Sequence, residues 1–167
     1  MYLKQLILLT QEKYKFFVHA YCFMTNHYHL LIETTDEHIS KIMKQIDEYY
    51  TRYYNVKYHR DGSLFRGRFK SCEVMTDEYF LQTNRYISLN PVHAGMVEKP
   101  EQYKWSSYGA YIGTADDMLT SCDGTLVYFK DGNRMLYRDF VESGIKYDKF
   151  AEKICGDIGE DDARLPW

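Results

Sequence analysis

The sequence predicts an α+β fold in which helices pack on one face of an antiparallel sheet. Two β-prone runs, 16–24 and 27–33, are separated by a short turn, a pattern that predicts a β-hairpin. Apolar residues then recur at three- and four-residue spacing from 39 to about 54, as on one side of a helix. A further candidate strand and a further helix follow, so strands and helices share one domain.

The segments that flank the hairpin support this order. Residues 2–12 place Leu3, Leu6 and Ile7 on one side, which predicts a helix before the first strand. After the second strand, the polar residues 34–38 contain a possible N-cap for the amphipathic helix. The hairpin is therefore expected between two helices that can pack against it.

The segment 64–70 alternates aromatic and basic side chains after an Asp-Gly-Ser turn. If it is a strand, Arg66, Arg68 and Lys70 share one face. A row of cations on a sheet face suits a phosphate backbone. An exposed edge strand, whose charged side chains disfavour pairing with another chain, explains the same pattern equally well.

Two further helices are predicted in the second half of the chain. One begins at about Thr76 and is expected to end at Leu89, because a proline at 91 disfavours the helical conformation in the residue before it. The other spans 133–142. Residues 156–167 are acidic and contain glycine, so they are expected to be poorly ordered.

The composition is that of a soluble globular protein, with 45% hydrophobic and 27% charged residues. The four cysteines form no Cys-x-x-Cys pair, which argues against a zinc knuckle or a disulfide framework. A reduced, cytoplasmic setting is therefore expected. No apolar run approaches membrane-spanning length, so no membrane association is expected.

The charge is unevenly distributed, although the net charge is −3. Residues 1–113 carry 14 Lys and Arg against 12 Asp and Glu, whereas residues 114–167 carry 7 against 12. Contacts with phosphates are expected in the first part rather than in the acidic second part.

Two histidines stand at i and i+2 in the second predicted strand, His27 and His29. Side chains two residues apart on a strand point to the same face, so both imidazoles converge. A divalent metal ion is a suitable partner for two such rings. Two surface histidines on a half-buried strand remain an equally good explanation of this pair alone.

A tyrosine and an asparagine four residues apart, Tyr86 and Asn90, share one side of the predicted helix. If that helix lies over the histidine face, Asn90 can supply an oxygen ligand to Mg²⁺ or Mn²⁺. The phenol of Tyr86 could then attack a phosphate and form a covalent phosphotyrosine. A buried tyrosine and a helix-ending Asn-Pro pair are the simpler alternative.

Four segments in the same order, 22–31, 64–70, 85–95 and 105–108, resemble single-tyrosine HUH transposases. The branch that they resemble is that of the REP-associated tyrosine transposase-like, or IS200-like, proteins. The resemblance covers about residues 1–113, which we treat as the catalytic domain. Residues 114–167 are expected to form an acidic, partly helical C-terminal extension.

This resemblance implies a ferredoxin-like domain that cuts and rejoins single-stranded DNA near hairpins through a 5′-phosphotyrosine. It places the nucleophile on Tyr86 and the Mg²⁺ or Mn²⁺ ligands on His27, His29 and Asn90. The side chains expected to contact single-stranded or hairpin DNA are those of Arg66, Arg68, Lys70 and Arg85.

The chain also departs from the family pattern. The family's first strand, which precedes the hairpin, is not found, so the domain is expected to be truncated at its N-terminus and to leave open strand edges. His93 stands where the family usually has arginine. Two alternatives follow: a hairpin-binding remnant without catalysis, and a metal-dependent phosphoesterase that uses activated water. Monomer and homodimer both remain open.

Overall fold

The structure, a computed structural model, describes residues 1–145 of the chain. The elements in chain order are helix α1 (Tyr2–Tyr14), strands β1 (Phe17–Phe23) and β2 (Tyr28–Glu33), and helices α2 (Ile39–Tyr58), α3 (Asp77–His93), α4 (Tyr108–Tyr111), α5 (Asp123–Leu126) and α6 (Arg134–Glu142). Short 3-10 turns lie at Pro100–Gln102, Lys130–Gly132 and Ser143–Ile145. The predicted α+β class is confirmed. The prediction made for residues 156–167 lies outside the described residues.

Strands β1 and β2 form an antiparallel hairpin in which Cys22 pairs with His29. The outer edge of β1 is covered by later segments of the chain: the N–H of Phe23 donates to the carbonyl of Trp105 at 2.9 Å, and Val18 accepts from Ser121 at 2.8 Å. Within residues 1–145 no strand pairs with the outer edge of β2.

Helices cover both faces of the hairpin, whereas the sequence predicted them on one face. Val18, Tyr21 and Phe23 of β1 pack in one core with α1 and α2. On the other face, Ala20 and Cys22 pack in a second core with α3. The alternation of side chains along β1 explains both cores, because neighbouring residues of a strand point in opposite directions.

Residues 101–145 pack on α3 through buried tyrosines. The rings of Tyr111 and Tyr137 stack with centroids 4.4 Å apart, and both side chains are fully buried. Asn84 of α3 donates to the hydroxyl of Tyr111 at 3.2 Å and accepts from that of Tyr137 at 2.7 Å. Residues up to 145 therefore contribute to the same folded body as the hairpin.

Two local predictions are wrong. Residues 64–70 are not a strand; Phe65 and Phe69 instead pack against the first core and hold this segment on it. Helix α3 does not end before the Asn-Pro pair but continues through Pro91 to His93, and the N–H of Ala94 donates to the carbonyl of Asn90 at 2.9 Å.

Among residues 1–145, no helix combines the length and apolar character that crossing a membrane requires.

Candidate active site

His29 of β2, and His27 immediately before the strand, lie on the hairpin face that α3 covers. Nε2 of His27 and Nε2 of His29 are 3.0 Å apart, and the two ring planes are nearly perpendicular at 88°. Leu31, two residues further along β2, packs in the core with α3, whereas Tyr28 packs in the opposite core. The two-residue period of the strand therefore brings the imidazoles together at the turn end of the hairpin.

A neighbouring side chain sets the tautomer of His27. Nδ1 of His27 lies 2.7 Å from Oδ1 of Asn26, which can only accept a hydrogen bond. The ring therefore donates from Nδ1, and the lone pair of its Nε2 faces His29. Sequence reasoning gave Asn26 no functional role; the only signal was its position immediately before the histidine pair. Such partners orient the ligands of many metal sites.

The second imidazole is held in its neutral form. Burial, followed by the nearby His27, lowers the pKa of His29 to about 3. A neutral imidazole keeps a lone pair on one ring nitrogen, which a metal ion can use. His29 is therefore able to act as a ligand at neutral pH.

Helix α3 places Tyr86 directly against this pair. The ring centroids of His29 and Tyr86 are 5.7 Å apart with planes at 78°, and only 6% of Tyr86 is exposed. Asn90 follows one turn later on α3 and is 8% exposed. The small side chains of Ala20 and Cys22 pack in the same core as Tyr86. They leave α3 room to lie close to the hairpin.

The separation of the two Nε2 atoms is that of a hydrogen bond between the rings, and it is also compatible with two ligands of one octahedral ion. Two nitrogen ligands about 2.1 Å from one ion, at right angles to each other, are about 3.0 Å apart. The Nε2 atoms of His27 and His29 have this separation. Within residues 1–145, however, no group of three or more His, Cys, Asp and Glu side chains could hold a metal ion. A third protein ligand would have to be of another type, such as the amide of Asn90.

The basic segment 64–70 lies beside the turn end of the hairpin. The ring of Phe65 meets that of Tyr28 edge-on with centroids 6.1 Å apart. The three cations of this segment, Arg66, Arg68 and Lys70, are exposed. They do not share a strand face, because the segment is not a strand, but they remain available to an anionic ligand at the turn end of the hairpin.

The structure does not bring Arg85 to this site. Its guanidinium lies over the ring of Phe140, 5.1 Å from the centroid, and its side chain is close to Gly144. Successive residues of a helix point about 100° apart, so Arg85 and Tyr86 face different elements. The expected DNA contact of Arg85 has no support in this arrangement.

One family model matches the chain: transposase IS200-like, over residues 1–90. The chain belongs to this family. The matched residues include the hairpin with both histidines and α3 as far as Asn90. The IS200-like family supports a transposase-type function and DNA binding. Comparison with curated proteins and with solved structures found no match.

Proposed function

We propose that this chain cleaves and rejoins single-stranded DNA at hairpin or palindromic sequences. Tyr86 would be the nucleophile, and His27, His29 and Asn90 would hold Mg²⁺ or Mn²⁺. The contact between the rings of Tyr86 and His29 carries the proposal, because it places a phenol beside a pair of converging imidazoles. Exposed cations at 66, 68 and 70 support the assignment of this end of the hairpin to DNA.

In the cleavage step, the Tyr86 oxygen attacks the scissile phosphorus. A bond between Oη and phosphorus forms and the bond between phosphorus and the 3′ oxygen breaks. The phenol loses a proton, and the released 3′ oxygen gains one and becomes a 3′ hydroxyl. Bound Mg²⁺ or Mn²⁺ would polarise the phosphate and favour this displacement. The attack of a 3′ hydroxyl on the phosphotyrosine reverses the step and rejoins DNA.

The residues around Tyr86 would hold the nucleophile in place. Its ring is packed between the hairpin and α3, so it has little freedom to leave the histidine pair. Holding reacting groups close together is a large part of the catalysis of displacement reactions. Asn26 would fix the ring of His27.

A covalent trapping assay tests this proposal. The substrate is a pool of single-stranded oligonucleotides, each with one hairpin between random flanks, labelled at either the 3′ or the 5′ end. A 5′-phosphotyrosine retains the downstream DNA, so a 3′ label should migrate with the denatured protein and a 5′ label should not. The adduct should require Mg²⁺ or Mn²⁺ and disappear in EDTA.

Two other results would contradict the proposal and identify the alternatives. Binding of the hairpin pool without any adduct indicates a remnant that recognises DNA but has lost catalysis. Metal-dependent cleavage that leaves no adduct, and that persists in Tyr86→Phe, indicates a phosphoesterase that uses activated water.

A further inference from the structure

The second half of α2 carries a surface that the candidate site does not use. Five residues, which we call the α2 stripe, recur at helical spacing along one side: Tyr49, Arg52, Tyr53, Val56 and Lys57. Tyr49 is 43% exposed and Val56 is 72% exposed. No carboxylate lies within the stripe; the exposed Glu48 lies immediately before it and pairs with Lys44, with Nζ and Oε1 3.7 Å apart. Exposed aromatic rings alternating with cations are unusual for a helix whose other side is packed in a core.

The rings and cations of the α2 stripe lie together. The guanidinium of Arg52 is 5.9 Å from the ring centroid of Tyr49, and Nζ of Lys57 is 5.5 Å from that of Tyr53. Tyr2 of α1 stacks on Tyr53 with centroids 3.8 Å apart and planes at 20°. This stack fixes the Tyr53 ring, so the surface offers a rigid aromatic platform with positive charge beside it.

The α2 stripe begins near the turn end of the hairpin. The hydroxyl of Tyr28, the first residue of β2, donates to Asp47 of α2 at 2.5 Å. Because a helix rises about 1.5 Å per residue, Tyr58 lies about 16 Å further along α2 than Asp47. Helix α2 covers the face of the hairpin opposite to the histidines, so DNA bound to the α2 stripe would reach His27 by passing around the turn end of the hairpin.

We infer that the α2 stripe binds single-stranded DNA next to the cleavage site, by stacking unpaired bases on Tyr49 and pairing phosphates with Arg52 and Lys57. Charge decides between possible occupants: two cations and no carboxylate complement a polyanion, and every base offers a face to an exposed ring. This inference rests on the proposed function only in that the chain binds single-stranded DNA. It does not depend on Tyr86 or on a metal.

The test measures binding of a fluorescein-labelled thymidine 20-mer by fluorescence anisotropy in EDTA, where no cleavage takes place. Tyr49→Ala should weaken binding about fivefold or more, the loss expected for one stacked base. Tyr49→Phe should bind as the wild-type protein does, because stacking uses the ring face and not the hydroxyl. Tyr128→Ala is the matched control, since Tyr128 is also 43% exposed but lies after α5.

Three outcomes would overturn the inference. In the first, the wild-type protein does not bind the 20-mer. In the second, Tyr49→Ala binds the 20-mer as tightly as the wild-type protein does. In the third, the DNA affinity of Tyr49→Ala is likewise unchanged, but sedimentation shows that the wild-type protein is a dimer and the variant a monomer. The last would assign the stripe to a second copy of the chain.

With saturating hairpin DNA, Tyr49→Ala should still form the covalent adduct. If Tyr86→Phe forms no adduct but still binds the 20-mer, the result supports Tyr86 as the nucleophile and leaves the inference about the α2 stripe unaffected.

Discussion

The ring of Tyr86 on α3 meets the ring of His29 on β2 with centroids 5.7 Å apart and planes at 78°. The two residues are far apart in sequence and meet only because α3 crosses the hairpin face that carries the histidines. His29 in turn lies 3.0 Å from His27 through their Nε2 atoms. A candidate nucleophile and two candidate ligands therefore form one continuous contact.

Mn²⁺ binding, measured by electron paramagnetic resonance, tests the ligand assignment without DNA. His29→Ala should abolish specific binding, because it removes one of the two converging imidazoles. Asn26→Ala should weaken binding about 10- to 100-fold, the usual cost of losing a partner that orients a ligand. Thr25→Ala, in the same turn but exposed, is the control and should bind normally. Unchanged Mn²⁺ affinity in His29→Ala would show that the ion does not bind here.

The salt dependence of DNA binding tests the basic segment. Replacing its three cations, Arg66, Arg68 and Lys70, by glutamine should reduce the slope of log affinity against log salt by about 2, since each phosphate contact to a single strand contributes about 0.7. The control replaces three exposed lysines elsewhere, Lys41, Lys44 and Lys130. An equal change of slope in both triple variants would mean that the segment has no special contact with DNA.

The contribution of one buried carboxyl, that of Asp47, to the free energy of unfolding should fall as the pH rises from about 4 to about 6. Burial raises the pKa of Asp47 to about 6, although the hydrogen bond from Tyr28 acts in the opposite direction. Its ordinary pKa is about 3.9. In this window the folded state binds more protons than the unfolded state, so ionisation of Asp47 costs folding free energy.

Asp47→Asn should therefore raise the free energy of unfolding at pH 7 by about 1–3 kcal/mol and flatten its pH dependence. The amide oxygen can still accept the hydrogen bond from Tyr28. Urea denaturation at pH 4.5 and pH 7 measures the effect, with the exposed neighbour Glu48→Gln as the control. A variant less stable than the wild-type protein at pH 7 would show that the ionised carboxylate stabilises the fold.

The buried side chain of Asn84 should be important for stability. Asn84→Ala is expected to lower the free energy of unfolding by about 2–4 kcal/mol, because the hydroxyls of Tyr111 and Tyr137 lose a buried partner. A double-mutant cycle with Tyr137→Phe should give a coupling energy of about 1 kcal/mol or more. Asn55→Ala is the control, because it removes an exposed hydrogen bond, the one from its amide to the carbonyl of Gly62. A coupling near zero would mean that α6 is not integrated with α3 as described.

The sequence predicted the elements whose pattern depends on their own residues. The alternation in 27–33 and the three- and four-residue spacing in α2 arise from one buried side, and both elements are present. The pair His27 and His29 followed from the same period of two. The segment 64–70 was misjudged because its aromatic residues are buried against the core of other elements, not against a neighbouring strand.

The approach of α3 to the histidines could not be predicted in this way. It depends on small side chains of β1, Ala20 and Cys22, and on contacts of α3 with the later part of the chain. These contacts also explain why α3 continues through Pro91, which is itself buried. Packing between distant segments determines both the position of α3 and its continuation through Pro91, and no local sequence pattern predicts such packing.

Identification of the residue that becomes linked to DNA tests the central claim most directly. The adduct formed with the 3′-labelled hairpin pool is digested with nuclease and trypsin and sequenced by tandem mass spectrometry. Trypsin cuts after Arg85, so Tyr79 and Tyr86 fall on different peptides. The account predicts a nucleotide phosphate on Tyr86 and no adduct in Tyr86→Phe. A phosphate linked to Tyr79 or to another residue, or an adduct that persists in Tyr86→Phe, would contradict it.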